Sequence, residues 1–295
     1  MSMNSGINYT VIIPHKNTPE LLRRCLASIP QREDIQIIVV DDNSDSGVNF
    51  ETFPGLGSPR VEVVFAKEGK GAGYARNIGL KKSVGKWVLF ADADDFFIEN
   101  FLEHLDKYKD SSCDLVYFGT NKISQKTEGK NKDEQRYDKL VINNQDYEAY
   151  IYTAYVPWGK MIRLSLIQES GVLFDETKVA NDKMFSIKIG HYASNIHFNE
   201  HKIYTFVQNQ GSLTQIKTIE ANFERFFVYV RIRKFLREIS KEKYRINLIP
   251  ALINIINIHN MDYFRKSLKI MIKNDISIFM EAFEFCTSLL KKHRR

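Results

Sequence analysis

The chain has 295 residues, 43% of them hydrophobic, 12% aromatic and 26% charged, with 15 glycines and 7 prolines. That composition excludes collagen, low-complexity sequence and wholesale disorder, and the length suits one large domain or two. The net charge of +6 is uneven: Ile216 to Arg295 carries 17 cationic against 8 acidic side chains, a net of +9, leaving 25 against 28 before it.

In chain order, four short apolar runs have strand length and β-branched content: Tyr9 to Pro14, Ile35 to Val40, Val61 to Ala66 and Lys86 to Ala91. Between the first two, Leu21, Leu22, Cys25, Leu26 and Ile29 recur at helical spacing behind the start signal Thr18-Pro19. Gly73 to Val84 reads as a second helix and Phe96 to Tyr108 as a third. Continuous apolar strands alternating with helices predict an α/β fold, a parallel sheet covered on both faces. Lys122 to Lys139 is charged and aperiodic, which predicts a surface excursion.

Ligands of such sheets collect beyond the carboxyl ends of the strands, so the residues after each run matter most. Pro14-His15-Lys16-Asn17 follows the first and lacks the glycines of a dinucleotide fingerprint, which disfavours NAD. Asp41 and Asp42 end the second, where an acid either accepts a ribose hydroxyl or base N–H or closes an Asx turn. Lys67 to Asn77 is glycine-rich, runs into a helix and carries Arg76 in its first turn, an arrangement that offers donors to phosphate or serves as a plain connection. Asp92, Asp94 and Asp95 follow the fourth run. In an extended segment Asp92 and Asp94 face one side, and paired carboxylates call for a cation between them; Mg²⁺ or Mn²⁺ suits oxygen ligands. The alternative is an acidic N-cap for the helix after them.

At these residues the sequence resembles glycosyltransferase family 2, inverting nucleotide-sugar enzymes of the GT-A fold. IIPHKN followed by Glu20, VVDDNSD, GAGYARNIGL with Gly73 and Arg76, and FADADD are similar to four of its motifs, in order; VPWGKMIR and QGSLT resemble two later segments, and the likeness covers residues 8 to 215. The resemblance implies a GT-A nucleotide-binding sheet with flanking helices, and a nucleoside diphosphate sugar donor, with a UDP-sugar the expected one. It places Pro14, His15, Asn17, Glu20 and Asp42 around base and ribose, Gly73 and Arg76 at the phosphates, Asp92 at ribose or sugar, and Asp94 with Asp92 on Mn²⁺ or Mg²⁺. Trp158, Lys160 and Ser212 would fall at the acceptor or sugar pocket. The family's base is the Asp of a Glu-Asp pair; Asp182 matches it, while Asn181 replaces the Glu. Without the resemblance Asp182 reads as a helix N-cap.

The glycines end before residue 212 and only Pro250 lies past 215, so the expected division is residues 1–215, the transferase domain, and 216–295, a smaller basic all-α region. In the latter Ile219, Phe223, Phe226, Phe227 and Val230 share a helical face; Leu248 to Ile258, Tyr263 to Ile272 and Ile276 to Leu290 read as further helices. Its charge points to peripheral contact with an anionic membrane bearing a saccharide or lipid-linked saccharide acceptor, or else its apolar faces simply become core. No nucleic-acid motif is present. The longest apolar candidate, Ile246 to Ile258, falls short of the roughly 18 residues of a span, and the first residues lack a secretory pattern, so a cytoplasmic location at the inner membrane face is expected. Cys25, Cys113 and Cys286 read as reduced, buried thiols. The Q-x-x-R-W motif of processive members is absent, which points to single-sugar addition. Competing expectations are a nucleotidyltransferase and a non-catalytic sugar-nucleotide-binding protein.

Overall fold

The computed structural model describes residues 6–124, 146–208, 218–258 and 260–293. The chain forms two compact units, Met1–Thr177 with Asn181–Gln210, and Lys178–Ala180 with Gly211–Arg295.

In the first unit, β1 (Tyr9–His15), β2 (Ile35–Asp42), β3 (Val61–Ala66) and β4 (Trp87–Phe90) pair in parallel in the order β3-β2-β1-β4. The helices α1 (Pro19–Ala27) and α2 (Ala72–Lys82) connect them. Successive side chains of β1 serve opposite faces: Val11 and Ile13 enter a core with Leu22 and Cys25 of α1, while Ile12 joins Leu80, Val88 and Phe90 on the other. Both faces are covered, which is why these strands read as unbroken apolar runs. Burying each such side chain stabilises by roughly 1.5–3 kcal/mol.

The other half of the sheet is mixed. It comprises β5 (Phe96–Phe97), β6 (Leu115–Ser124), β7 (Lys160–Arg163) and β8 (Ile196–Gln208), completing the order β3-β2-β1-β4-β7-β6-β8-β5. β7 runs antiparallel between β4 and β6, β6 pairs with β8 in parallel, and β5 is antiparallel to β8. The wholly parallel sheet is therefore corrected to a mixed one. Further helices are α3 (Phe101–Asp106), α4 (Tyr147–Thr153), α5 (Leu164–Ser170) and α6 (Lys183–Tyr192).

The helix expected over residues 96–108 is replaced by β5 and the shorter α3, because Phe96 and Phe97 pair with Thr205 and Tyr204 of β8. Its N-cap is Asn100, so none of the preceding aspartates has that role. Lys122 to Ser124 end β6, and the rest of the charged segment lies outside the described residues. Only Cys25 is buried; Cys113 is intermediate and Cys286 exposed.

The second unit contains α7 (Ile219–Glu238), a 3₁₀ turn (Glu242–Tyr244), α8 (Ile249–Asn257), α9 (Met261–Lys273) and α10 (Ile278–His293). The Thr218 hydroxyl accepts the Ala221 N–H and the Asn260 side-chain Oδ1 that of Tyr263, capping α7 and α9. Phe226, Val230, Leu248, Leu252, Ile255, Met271 and Ile276 form this unit's own core. Phe227, expected on that face, is exposed. Buried Glu281 ion-pairs with Arg233 and accepts the Leu248 N–H at 2.8 Å. Among the described residues no helix is long and apolar enough to cross a membrane.

Candidate active site

The carboxyl ends of β1 and β2 meet at His15 and Asp41, which are partners in the strand register. The Thr18 N–H donates to His15 Nε2 at 3.1 Å, so Nδ1 carries the ring proton and donates to Asp41 Oδ1 at 2.7 Å. Both nitrogens are committed and the side chain is fully enclosed. The imidazole thus braces Asp41 and offers no polar atom to a ligand, a departure from the ligand contact expected of it. Burial raises the Asp41 pKa, but hydrogen bonds from His15 and Ser44 outweigh it and the net shift is downward. Asn17, at φ 57°, exchanges two hydrogen bonds with Asp45 (2.7 and 2.8 Å), tying the two strand-end loops together. Pro14 is buried, and Glu20 is exposed beside Arg23.

Asp42 is 4% exposed. Its Oδ2 accepts the Gly71 N–H at 2.9 Å, whereas Oδ1 is buried without a partner. Burial pushes its pKa upward, opposed by Gly71 and Lys16. The half-exposed Lys16 ammonium lies 3.1 Å from the Asp42 carbonyl oxygen and 3.9 Å from Oδ2. Gly71 is the N-cap of α2 at φ 99°, a conformation that favours glycine.

After β4 the chain turns. The strand ends at Phe90, and the Asp95 N–H closes back on the Asp92 carbonyl at 3.0 Å. The extended geometry expected for Asp92 and Asp94 is therefore corrected. Tyr204 of β8 organises this turn from below: its hydroxyl accepts the Asp92 N–H at 2.8 Å and donates to Asp95 Oδ2 at 2.9 Å, while the Val207 N–H reaches Asp95 Oδ1. Asp95 is fully buried, and its pKa is pushed up to about 9 by burial first and by Asp92 and Asp94 next. It is an anchor, leaving Asp92 and Asp94 partly exposed above it. Arg24 donates to the Asp94 carbonyl.

Helix α2 joins both acidic positions to a third. Its N-cap holds Asp42, and Arg76, buried, gives Nη2 to Asp92 Oδ1 at 2.5 Å and Nη1 to Asn181 Oδ1 at 3.0 Å. Arg76, expected at the phosphates, thus gives one N–H from each terminal nitrogen to the protein. Asn181 Nδ2 in turn donates to the Thr177 carbonyl at 3.2 Å. The Asn77 carboxamide exchanges hydrogen bonds with both backbone groups of Phe174 (3.0 and 2.9 Å). A Cβ on Gly73 would stand 2.0 Å from the Asp175 carbonyl oxygen, so only glycine permits this approach. The segment leading to Asp182 is thereby fastened along α2.

Asp182 occupies the N-cap position of α6, yet its side chain makes no capping hydrogen bond. Lys160, 3% exposed, donates to the Ala154 carbonyl at 2.9 Å; burial lowers its pKa to about 7 against the opposing pull of Asp182. Trp158 is buried against Tyr204 and Phe206, ring centroids 5.5 and 5.6 Å apart. Both residues, expected at an acceptor or sugar pocket, are buried with these partners. Ser212 lies outside the described residues.

Sequence reasoning left Tyr204, Asn77 and Lys16 without roles. Asn77 and Lys16 sit inside quoted motifs and were recoverable from them; Tyr204 has no local signal, standing 112 residues from Asp92.

A mixed sheet with acids along its carboxyl edge, flanked by helices, is the GT-A arrangement, and solved structures share this fold. Staphylococcus aureus TarS 1–349 in complex with UDP-GlcNAc superposes with a TM-score of 0.64 at 20% identity, over 86% of this chain and 72% of that one. A mannosyltransferase from Pyrobaculum calidifontis with GDP-Man and Mn²⁺ gives 0.56 at 16% identity, over 96% and 79%. The profile of Glycosyl transferase family 2 matches residues 10–171, and the chain belongs to that family. Among its relatives, Glycosyltransferase GlyA of Streptococcus pneumoniae is 27% identical over 71% of this chain, which spans 32% of GlyA's length. Poly(ribitol-phosphate) beta-N-acetylglucosaminyltransferase TarP of Staphylococcus aureus is 26% identical over 75% of this chain and 69% of its own.

Proposed function

We propose that this glycosyltransferase moves a sugar from a UDP-sugar to a hydroxyl of a saccharide or lipid-linked saccharide acceptor, inverting the anomeric centre, in cell-surface polysaccharide synthesis. The observation that carries this reading is the Asp182 carboxylate at a helix start that it does not cap, the disposition of a group left available as a general base. A sugar hydroxyl is a poor nucleophile at neutral pH, and Asp182 takes its proton as it attacks. The UDP-GlcNAc of the TarS complex supports a UDP-linked donor, and the poly(ribitol-phosphate) in TarP's name supports a polymeric acceptor.

The state of Asp42 supports uracil as the base. One oxygen is taken by Gly71 and one is unpartnered, with an ammonium beside them. Uracil presents a single imide N–H between two carbonyls, which suits one free acceptor flanked by a cation. Guanine presents two adjacent donors and asks for a carboxylate with both oxygens open.

Asp94 with Asp92 would hold Mn²⁺ or Mg²⁺. Their oxygens are hard donors, and their charge adds to the burial that raises the pKa of Asp95. Among the described residues no cluster of three or more metal-ligating side chains exists, and one oxygen of Asp92 already serves Arg76. That donor set fits a cation whose remaining ligands are water and diphosphate oxygens. Such an ion, when bound, offsets charge on the departing diphosphate. The basic second unit, in this reading, keeps the enzyme at the inner face of the cell membrane, where a lipid-linked acceptor resides.

A thermal-shift panel of UDP-, GDP- and dTDP-sugars with Mn²⁺ tests the reading, since at equal concentration a tighter ligand stabilises more. A UDP-sugar standing apart is expected; stabilisation by GDP-sugars alone, or by none of the panel, contradicts it.

A further inference from the structure

The second unit leaves one face without a protein partner among the described residues. Every exposed position of α10 from Phe279 to Leu290 is uncharged. Phe279, Phe283 and Leu290 are 85%, 67% and 62% exposed, and their spacing places them along one line of the helix, with exposed Cys286 between. The helix cannot simply roll to hide them. Its opposite side carries Glu281, fully buried and held by Arg233 and the Leu248 N–H, so the rotation about its axis is fixed. A continuous apolar face of this kind marks an interaction surface.

Charge selects the occupant. Ile216 to Arg295 has a net charge of +9. On α9 the exposed Arg265, Lys269 and Ile272 (75%) fall on one face at helical spacing, with Lys266 and Lys273 also exposed. Pairing two copies through this unit would oppose two such charges, whereas an anionic surface attracts them. Aromatic and aliphatic side chains backed by Lys and Arg are the composition of a helix lying in the plane of a lipid interface. Resting on the membrane-borne acceptor proposed above, we propose that the Phe279–Phe283–Leu290 face of α10 docks in the plane of an anionic bilayer, drawn there by the cations of the same unit.

The test is co-sedimentation of the full chain with vesicles, without donor or acceptor. Wild type is expected to pellet with phosphatidylcholine vesicles containing about 30 mol% phosphatidylglycerol and to remain in solution with phosphatidylcholine alone. Phe279→Ser combined with Phe283→Ser should weaken binding at least about tenfold, and Lys269→Glu with Lys273→Glu should do likewise. Equal binding to both vesicle types overturns the proposal, as does unchanged binding by the phenylalanine double variant. It is also overturned if ultracentrifugation shows a wild-type dimer that this variant dissociates, which makes the face a contact between copies. Soluble polyphosphate that binds both proteins equally and removes both from vesicles would assign the cations to a polyanion and the phenylalanines to nothing. Transfer to a soluble acceptor, measured on the same variants, should be unchanged, so failure of docking and failure of the transferase reading are separable.

Discussion

Arg76 Nη1 donates to Asn181 Oδ1 at 3.0 Å while its Nη2 pairs with Asp92. One guanidinium therefore fixes both the acid turn and the residue before Asp182. An Asn where the family carries an acid leaves that grip intact, because the amide oxygen accepts as a carboxylate would. Asn181→Ala is expected to lower kcat by about 10- to 100-fold through misplacement of Asp182, with donor KM changed little. Asn181→Asp keeps the acceptor oxygen and should lose far less. Steady-state kinetics on both variants decide it; equal losses would detach Asn181 from the positioning of the base.

Asp42 bears a buried, unpartnered oxygen. Asp42→Ala should raise the donor dissociation constant by about 10- to 150-fold, the loss of one hydrogen bond to a charged group. Calorimetric titration with UDP reads this directly. Unchanged affinity would separate Asp42 from the base.

Asp94→Ala should flatten the dependence of donor binding on Mn²⁺ concentration. Thermal-shift titrations of Mn²⁺ at fixed UDP compare it with wild type. Identical titration curves would remove Asp94 from the metal site.

Lys160 supplies a pH dependence. Its folded-state pKa is about 7 against 10.5 for an unburied lysine, so across that interval the unfolded chain holds a proton that the folded protein sheds. Stability from this group is complete above 10.5 and is lost as pH falls through about 7. Compared with Lys160→Met, wild type should therefore gain in melting temperature between about pH 6 and about pH 9. A gap between the two proteins that stays constant with pH would contradict this.

The sequence made the parallel half of the sheet legible because β1 to β4 are buried on both faces and each ends in polar residues at the ligand edge. Leu115 to Ile162 and Phe96 to Thr205 pair across tens of residues, and local periodicity carries no trace of such partners. The same distance hid Tyr204, and with it the reason that the chain turns at Asp92 instead of running on as a strand. His15 was placed by its motif, but its burial depends on Asp41, 26 residues away. Asp182 was legible by resemblance alone. What the structure adds is that its side chain is not spent on the helix it begins.

Single-turnover transfer by Asp182→Asn addresses the central claim most directly. The account predicts that a UDP-sugar still binds with near wild-type affinity while transfer slows by at least about one hundredfold, the low end for loss of a general base. Transfer at close to the wild-type rate would contradict it.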